Sequence, residues 1–425
     1  MITILQRWSL AKRLGIFAIL GAALLAAPLT IYVRDSQQQI GVARQEHSSI
    51  EPVKNLLKVV QSTQQHRGLS ADVLGGNVEL ESNVAEKRAD VGKAIKAFAA
   101  TVKAENDAKL TAAWTSATQN WKTLEQSVAQ KTINGKESYA RHTALVAEYL
   151  LVLEQVADLF SLTLDPEADG YYLMSAMVIQ LPYLAESLGQ ARATGTVYLS
   201  QNNMTGYDRA SLVALVNSIN MFQGNTNRAL AKAIDARPEL QASVGSLSQE
   251  SNAGIFRVKN LVQEQLIDAE KLTLAAPDYF KVFTEVIDAQ FKLNAAGLDA
   301  LDTVLVNRIY KLRRDQIFVL GSIGLVTLLS VLLGLAIVRS ILRQLGGEPV
   351  EAMAVAHAVA MGDLSRRLVL RPGDTSSLMA AMAKMQAAIY GFVAGQSEMK
   401  KQHDAGAISY RIPVTQFSGS YREMA

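Results

Sequence analysis

The chain contains two long apolar runs without a charge, Leu14 to Val33 over 20 residues and Ile317 to Val338 over 22. Each is long enough to cross a hydrocarbon core of about 30 Å as a helix. A helix apolar on every side would otherwise need burial all round. The pattern therefore predicts transmembrane helices at 14–33 and 317–338, with a lipid bilayer as partner. A cleaved signal peptide fits the first run less well. Its start is basic, but the run is long for an h-region and has no clear A-x-A site.

Elsewhere apolar residues recur every three or four positions, and strand-like alternation is nowhere sustained. The prediction is an all-α chain. It divides into a cytoplasmic N-terminus (1–13), the first span, an outer helical domain (34–316), the second span, and cytoplasmic segments at 339–391 and 392–425. Arg7, Lys12 and Arg13 before the first span keep the N-terminus inside, and Arg339 and Arg343 after the second agree. Arg308, Lys311, Arg313 and Arg314 argue the other way. They end a loop of 283 residues, however, and long loops translocate largely regardless of charge. The reading is a two-pass protein of a bacterial inner membrane with 34–316 in the periplasm.

Turn signals within 34–316 are sparse: Gly75 to Asn77, Asn134-Gly135, Asp165-Pro166, Asn202 to Gly206, Arg237-Pro238 and Ala276-Pro277. They predict long antiparallel helices forming one or two stacked bundles. Asp165-Pro166 reads as a helix start, and Pro182 as a kink inside the following helix. Leu298, Leu301, Leu305, Ile309 and Leu312 keep helical spacing into the second span, with no Gly or Pro to interrupt. That helix is equally suited to carry motion toward the membrane or simply to pack.

One seam contains a charge. Val53, Leu56, Val60, Thr63, Arg67, Ser70 and Leu74 step by three and four, so Arg67 lies on a core-facing stripe. Leu181, Ala185, Leu188, Arg192, Gly195 and Leu199 repeat the arrangement. Gly68 and Gly195 sit close by, where a backbone or ligand approaches. A buried guanidinium needs an anion. Two partners stay open: a carboxylate of a neighbouring helix, such as Glu154 or Asp158, or a small anion held by Arg67 and Arg192 with His66, Gly68 and Gly195 beside them.

Composition narrows the chemistry. A net charge of +3 gives no reason to expect nucleic acid. There is no cysteine, and the five histidines (His47, His66, His142, His357 and His403) lack metal-ligand spacing. No nucleophile–base spacing or phosphate loop is present. The expectation is a chain without metal, cofactor or catalysis.

After the second span, Arg339 to Ile389 reads as helix, connector, helix. Leu378, Met382, Met385 and Ile389 keep coiled-coil spacing. This stretch resembles a HAMP domain, the signal relay of bacterial receptors, which implies a parallel coiled coil in a homodimer. Gly362, Asp363 and Leu364 match the motif after its first helix. Leu368 and Leu370 match the connector's packing positions, and Asp374 the acidic opening of its second helix. Two departures are Gln344 in place of a junction Pro, and Asp374 in place of the commoner Glu. The run from LGGEP to GDTSSLMAAMAKMQ is similar to methyl-accepting chemotaxis receptors. Residues 392–425 resemble a second, degenerate HAMP unit, with Gly406-Ala407-Ile408 in the motif position and Phe417, Gly419 and Tyr421 opening its second helix. The signalling hairpin of such receptors does not follow, which implies a truncated product or a fragment. A chemotaxis kinase and coupling protein would be partners only of a longer chain.

QQHRGLS, at 64–70, is similar to the Q-x-x-R-G-x-S stretch of nitrate- and nitrite-sensing (NIT) domains, with His66 where that family often has Glu. LGQARATG, at 188–195, is similar to the family's second Arg-containing stretch. The resemblance implies paired helical bundles that sense an anion such as nitrate or nitrite. Three functions compete: a chemoreceptor-type sensor, the input half of a sensor histidine kinase or diguanylate cyclase, and a membrane scaffold that senses nothing. The ligand, the sign of the signal and the native output stay open.

Overall fold

A computed structural model describes residues 8–425. Arg7, which enters the orientation argument, lies outside the described residues. Every regular element among the described residues is helical. The chain separates into two compact units, Ser36–Arg314 and the residues on either side of it.

The Ser36–Arg314 unit begins within α1 (Leu10–Ser48) and continues through α2 (Ile50–Leu74), α3 (Glu81–Glu105), α4 (Ala108–Ala129) and α5 (Gly135–Leu159). Helices α2 to α5 form a first bundle. Its core stacks Phe98 of α3 edge-on against Trp114 of α4, with centroids 4.7 Å apart, and adds Tyr149 of α5. The break between α3 and α4 has no Gly or Pro. Asn106 takes the left-handed conformation (φ 50°) and Asp107 caps α4 through Leu110 N at 2.8 Å. Asn and Asp are the residues that do both locally.

A second bundle contains α6 (Ala168–Met174), α7 (Leu181–Gln201), α8 (Gly206–Ala236), α9 (Leu240–Val262) and the first part of α10 (Ala276–Leu345). Pro182 lies inside one continuous helical run from Ala168 to Gln201. It stands in the first turn of α7, directly after a π-helical turn at Ser175–Gln180. A proline lacks the N–H that would close the preceding turn, and the wider turn absorbs the mismatch. Gly297 leaves room for Met177 of that turn, and the Asn294 amide donates to the Met177 carbonyl.

Asp165 does not cap a helix. Helix α6 starts at Ala168, and Asp165 Oδ1 instead accepts from Glu167 N at 2.8 Å. Its carboxylate is committed to Arg308, which bridges Asp165 and Glu46 at 2.8 Å each and reaches Glu167 at 3.3 Å. Gly170 makes room for this: a Cβ there would fall 2.0 Å from Asp165 Oδ2. The cluster ties α1 to α10 inside one buried network. Burial, together with Asp165, outweighs Arg308 at Glu46, whose pKa is pushed up to about 7.

In the other unit, α11 (Pro349–Ala360) packs on α12 (Leu378–Asp404) through Ala352, Val355, Met379 and Met382, with Leu368 and Leu370 beside them. Three helical stretches, within Leu10–Leu74, Ala276–Ala360 and Leu378–Asp404, are long and apolar enough to cross a membrane. The third is clearly less apolar than the others.

A carboxyl whose pKa is raised on folding binds its proton more tightly in the folded chain. Its contribution is therefore full at low pH and is lost as pH rises through the folded value. Buried His66 and His142, with pKa values lowered to about 4 and about 3, act in the opposite sense over the same range. The Glu46 share is therefore read as a difference: from pH 5 to pH 8 the wild type should lose stability relative to Glu46→Gln. Thermal melts followed by circular dichroism at both pH values test it. The same pH dependence in wild type and variant would contradict the assignment.

Candidate functional site

The periodicity that predicts a buried Arg67 and Arg192 holds in the structure: their residues are 1% and 9% exposed. They lie on α2 and α7, where the two bundles meet. The helices cross so that each arginine occupies the space left by a glycine of the other. A Cβ on Gly189 would lie 2.9 Å from Arg67 Nη2, and one on Gly68 would lie 3.6 Å from Arg192 Nη2.

The two guanidinium groups differ in their partners. Arg67 forms a bidentate pair with Glu186, Nη1 to Oε1 at 2.6 Å and Nη2 to Oε2 at 3.1 Å, and Nη1 also donates to Thr143 Oγ1 at 2.9 Å. Gln64 and Gln190 each donate to the same carboxylate at 2.8 Å. The carboxylate partner is therefore Glu186, not Glu154 or Asp158. Glu154 accepts from the Tyr183 hydroxyl, and Asp158 from Thr163.

Arg192 has no such partner. Its Nη1 donates to Thr284 Oγ1 at 2.8 Å, and its charge lies over the Phe280 ring at 4.5 Å. Its Nε is buried without a hydrogen bond, and among the described residues no carboxylate pairs with it. Burial, and then repulsion from Arg67, push its pKa down to about 10. Asp72, Asp288 and Glu186 attract it without forming an ion pair. The site thus holds two cations, one neutralised and one not. A planar oxyanion is the chemistry that a free guanidinium fork accepts best.

Two predicted site residues play other parts. Gly195 faces Tyr279 of α10: a Cβ there would lie 2.3 Å from the hydroxyl, which donates to Ala191 O at 2.9 Å. The glycine beside Arg67 in space is Gly189, a pairing that sequence distance hides. Gly68 does border the site. His66 is turned about 100° around α2 from Arg67. Its Nδ1 meets His142 Nε2 at 2.8 Å, on the side of α4 and α5.

The relay positions also have definite roles. Gly362 takes φ +81° just past α11, and Asp363 N closes the end on Ala358 O at 3.0 Å, a glycine-dependent C-cap. The Leu364 carbonyl accepts from Gln386 at 2.8 Å. Asp374 lies before the helix rather than opening it, and holds Ser377, the residue that caps α12, with its Oγ at 2.6 Å. Met382 is buried, whereas Leu378 and Met385 are 47% and 44% exposed.

A family model described as nitrate and nitrite sensing matches residues 58–302. That span includes Arg67, Glu186, Arg192 and Thr284. No curated protein matches the chain. The structure is similar to one titled "Structure of the NasR transcription antiterminator", with a TM-score of 0.51 and 18% identity, over 86% of this chain and 99% of that one. At that identity the likeness concerns the fold.

Gly195→Ala should destabilise the protein by about 1–3 kcal/mol, the usual range for overpacking, because Tyr279 must move. Thermal melts measure it. A companion Tyr279→Phe change keeps the ring and should relieve only the hydroxyl part of the clash. An unaffected melt in Gly195→Ala would contradict the packing.

Proposed function

Because the chain belongs to the nitrate- and nitrite-sensing family, we propose that it reports one of these anions and that Arg192 is the group that meets it. The observation behind this is the buried Arg192 guanidinium with an unpartnered Nε and no ion pair. An arriving oxyanion would supply the missing charge and hydrogen bonds. Thr284, Phe280 and Gly68 border the same guanidinium. Anion binding there joins α2 and α7 to α10, which continues without a break to Leu345. A ligand that favours one packing of these helices shifts the population of two states.

The rest of the reading is a chemoreceptor-type sensor without catalysis. Residues 14–33 and 317–338 span a bacterial inner membrane, with 34–316 outside. Residues 339–391 act as a HAMP relay in a homodimer. The exposed Leu378 and Met385 on α12 favour this, since an apolar seam left open in one copy fits the same seam of another. A chemotaxis kinase and its coupling protein belong to this picture only with a further output segment.

Two experiments test the proposal. Calorimetry with nitrate and nitrite should show that Arg192→Ala weakens binding by about 10- to 100-fold, the loss of a charge-assisted hydrogen bond of about 1.5–3 kcal/mol. Its thermal stability should hold, because an unpaired buried charge is removed. Arg67→Ala should instead destabilise the fold by about 3–5 kcal/mol, since Glu186 is left alone. Unchanged anion affinity in Arg192→Ala would overturn the assignment. For the dimer, the chain offers a cysteine-free background. Leu378→Cys in membranes should form a disulfide-linked dimer on oxidation, and Tyr390→Cys, off the seam, much less. Equal crosslinking at both positions would contradict a parallel seam.

A further inference from the structure

The Arg192 guanidinium is not equally closed on all sides. Its Nε is sealed in the interior without a partner. Its Nη2 also lacks a hydrogen bond among the described residues, but it is not sealed. This atom borders Gly68 of α2, where a Cβ would lie 3.6 Å away. Nη2 therefore combines a free donor with contact to solvent.

Two carboxylates flank the same guanidinium without touching it. Asp72 follows Gly68 by four residues on α2, and Asp288 follows Thr284, the hydroxyl partner of Arg192, by four on α10. Residues four apart share one face of a helix, with Cβ atoms about 5–6 Å from each other. Helices α2 and α10 run antiparallel here, since Gly68 borders Phe280 and Lys54 pairs with Asp299 at 2.8 Å. One turn onward along each helix thus leads away from Arg192 in opposite directions, with a carboxylate on either side. Asp72 is half-buried and Asp288 is exposed. Neither enters an ion pair among the described residues, and both attract Arg192. Burial raises the Asp72 pKa, and the charge of Arg192 acts against that rise.

We propose, on the reading of Arg192 as the anion-binding group, that Asp72 and Asp288 set its charge selectivity: the site accepts a monovalent oxyanion and rejects a divalent one. The two carboxylates trim the positive potential at Nη2. Attraction to that potential grows in proportion to ligand charge, whereas the cost of leaving water grows with its square. A trimmed potential therefore carries one negative charge into the site and fails to carry two. Glu186 takes no part in this trimming by contact, because Arg67 and two glutamines hold it.

Calorimetry on the full chain in nanodiscs, at pH 8 and constant ionic strength, tests it with nitrate, perchlorate and sulfate as probes. Wild type should bind nitrate and perchlorate, and sulfate at least about tenfold more weakly. In Asp72→Asn/Asp288→Asn, a gain of about tenfold for the monovalent ions should come with about a hundredfold gain for sulfate, because the repulsion removed doubles with ligand charge. Perchlorate has the shape of sulfate and the charge of nitrate, so it separates the two causes. If the double variant fails to fold by circular dichroism, Asp288→Asn alone, at an exposed position, gives the same comparison. Three results each overturn the charge selectivity: sulfate bound by wild type as tightly as nitrate, perchlorate rejected along with sulfate, or equal gains for sulfate and nitrate in the folded variant. Unchanged nitrate affinity in Arg192→Ala overturns the anion reading itself, and the selectivity with it.

Discussion

A guanidinium buried between helices is costly unless an anion meets it. The junction of the two bundles holds two of them, Arg67 and Arg192, and supplies one fully engaged carboxylate, Glu186. Glu186 is claimed by Arg67 and two glutamines. Arg192 is left with a threonine, an aromatic face and distant carboxylates. On the proposed reading, this imbalance serves the sensor: an unpaired charge inside a stable fold, where an arriving anion would change the balance of forces among α2, α7 and α10. The same logic explains the glycines. Gly189 and Gly68 let each arginine lie against the other helix, and a side chain at Gly189 would displace Arg67.

The fold resolves its other buried charges differently. Arg308 is over-supplied with carboxylates, pairing with Glu46 and Asp165 and reaching Glu167 and Asp169. There the cost falls on Glu46, which burial and Asp165 drive toward its neutral form. An excess of acid at one cluster and of base at the other gives one chain two electrostatically uneven points, both touching α10.

Much of the fold was legible because helical periodicity is a local signal. The steps of three and four through Arg67 and Arg192 fall, except at the half-buried Leu74, on positions that are buried in the structure, and most turn residues mark real helix ends. The missed break at Asn106-Asp107 had a readable signal, a left-handed Asn followed by an N-cap Asp. The site was legible only in part. Arg67 and Arg192 stand out because charge on an apolar stripe is anomalous. Glu186 does not, since it lies on α7 amid other polar residues and meets Arg67 only after the bundles pack. Gly195 was paired with Arg192 by nearness in sequence, but a helix places the glycine a turn away, under Tyr279. His66 was grouped with Arg67 for the same reason, although adjacent helical residues face different neighbours. Relations between helices distant in sequence are set by packing, and one chain's periodicity carries no record of which helix will be opposite.

The most direct measurement is a structure determined with nitrate present. An anion with an oxygen about 2.7–3.2 Å from Arg192 Nε or Nη2, with Arg67 still paired to Glu186, is the expected result. Nitrate bound elsewhere, or Arg192 found in an ion pair with a carboxylate of the chain, would contradict it.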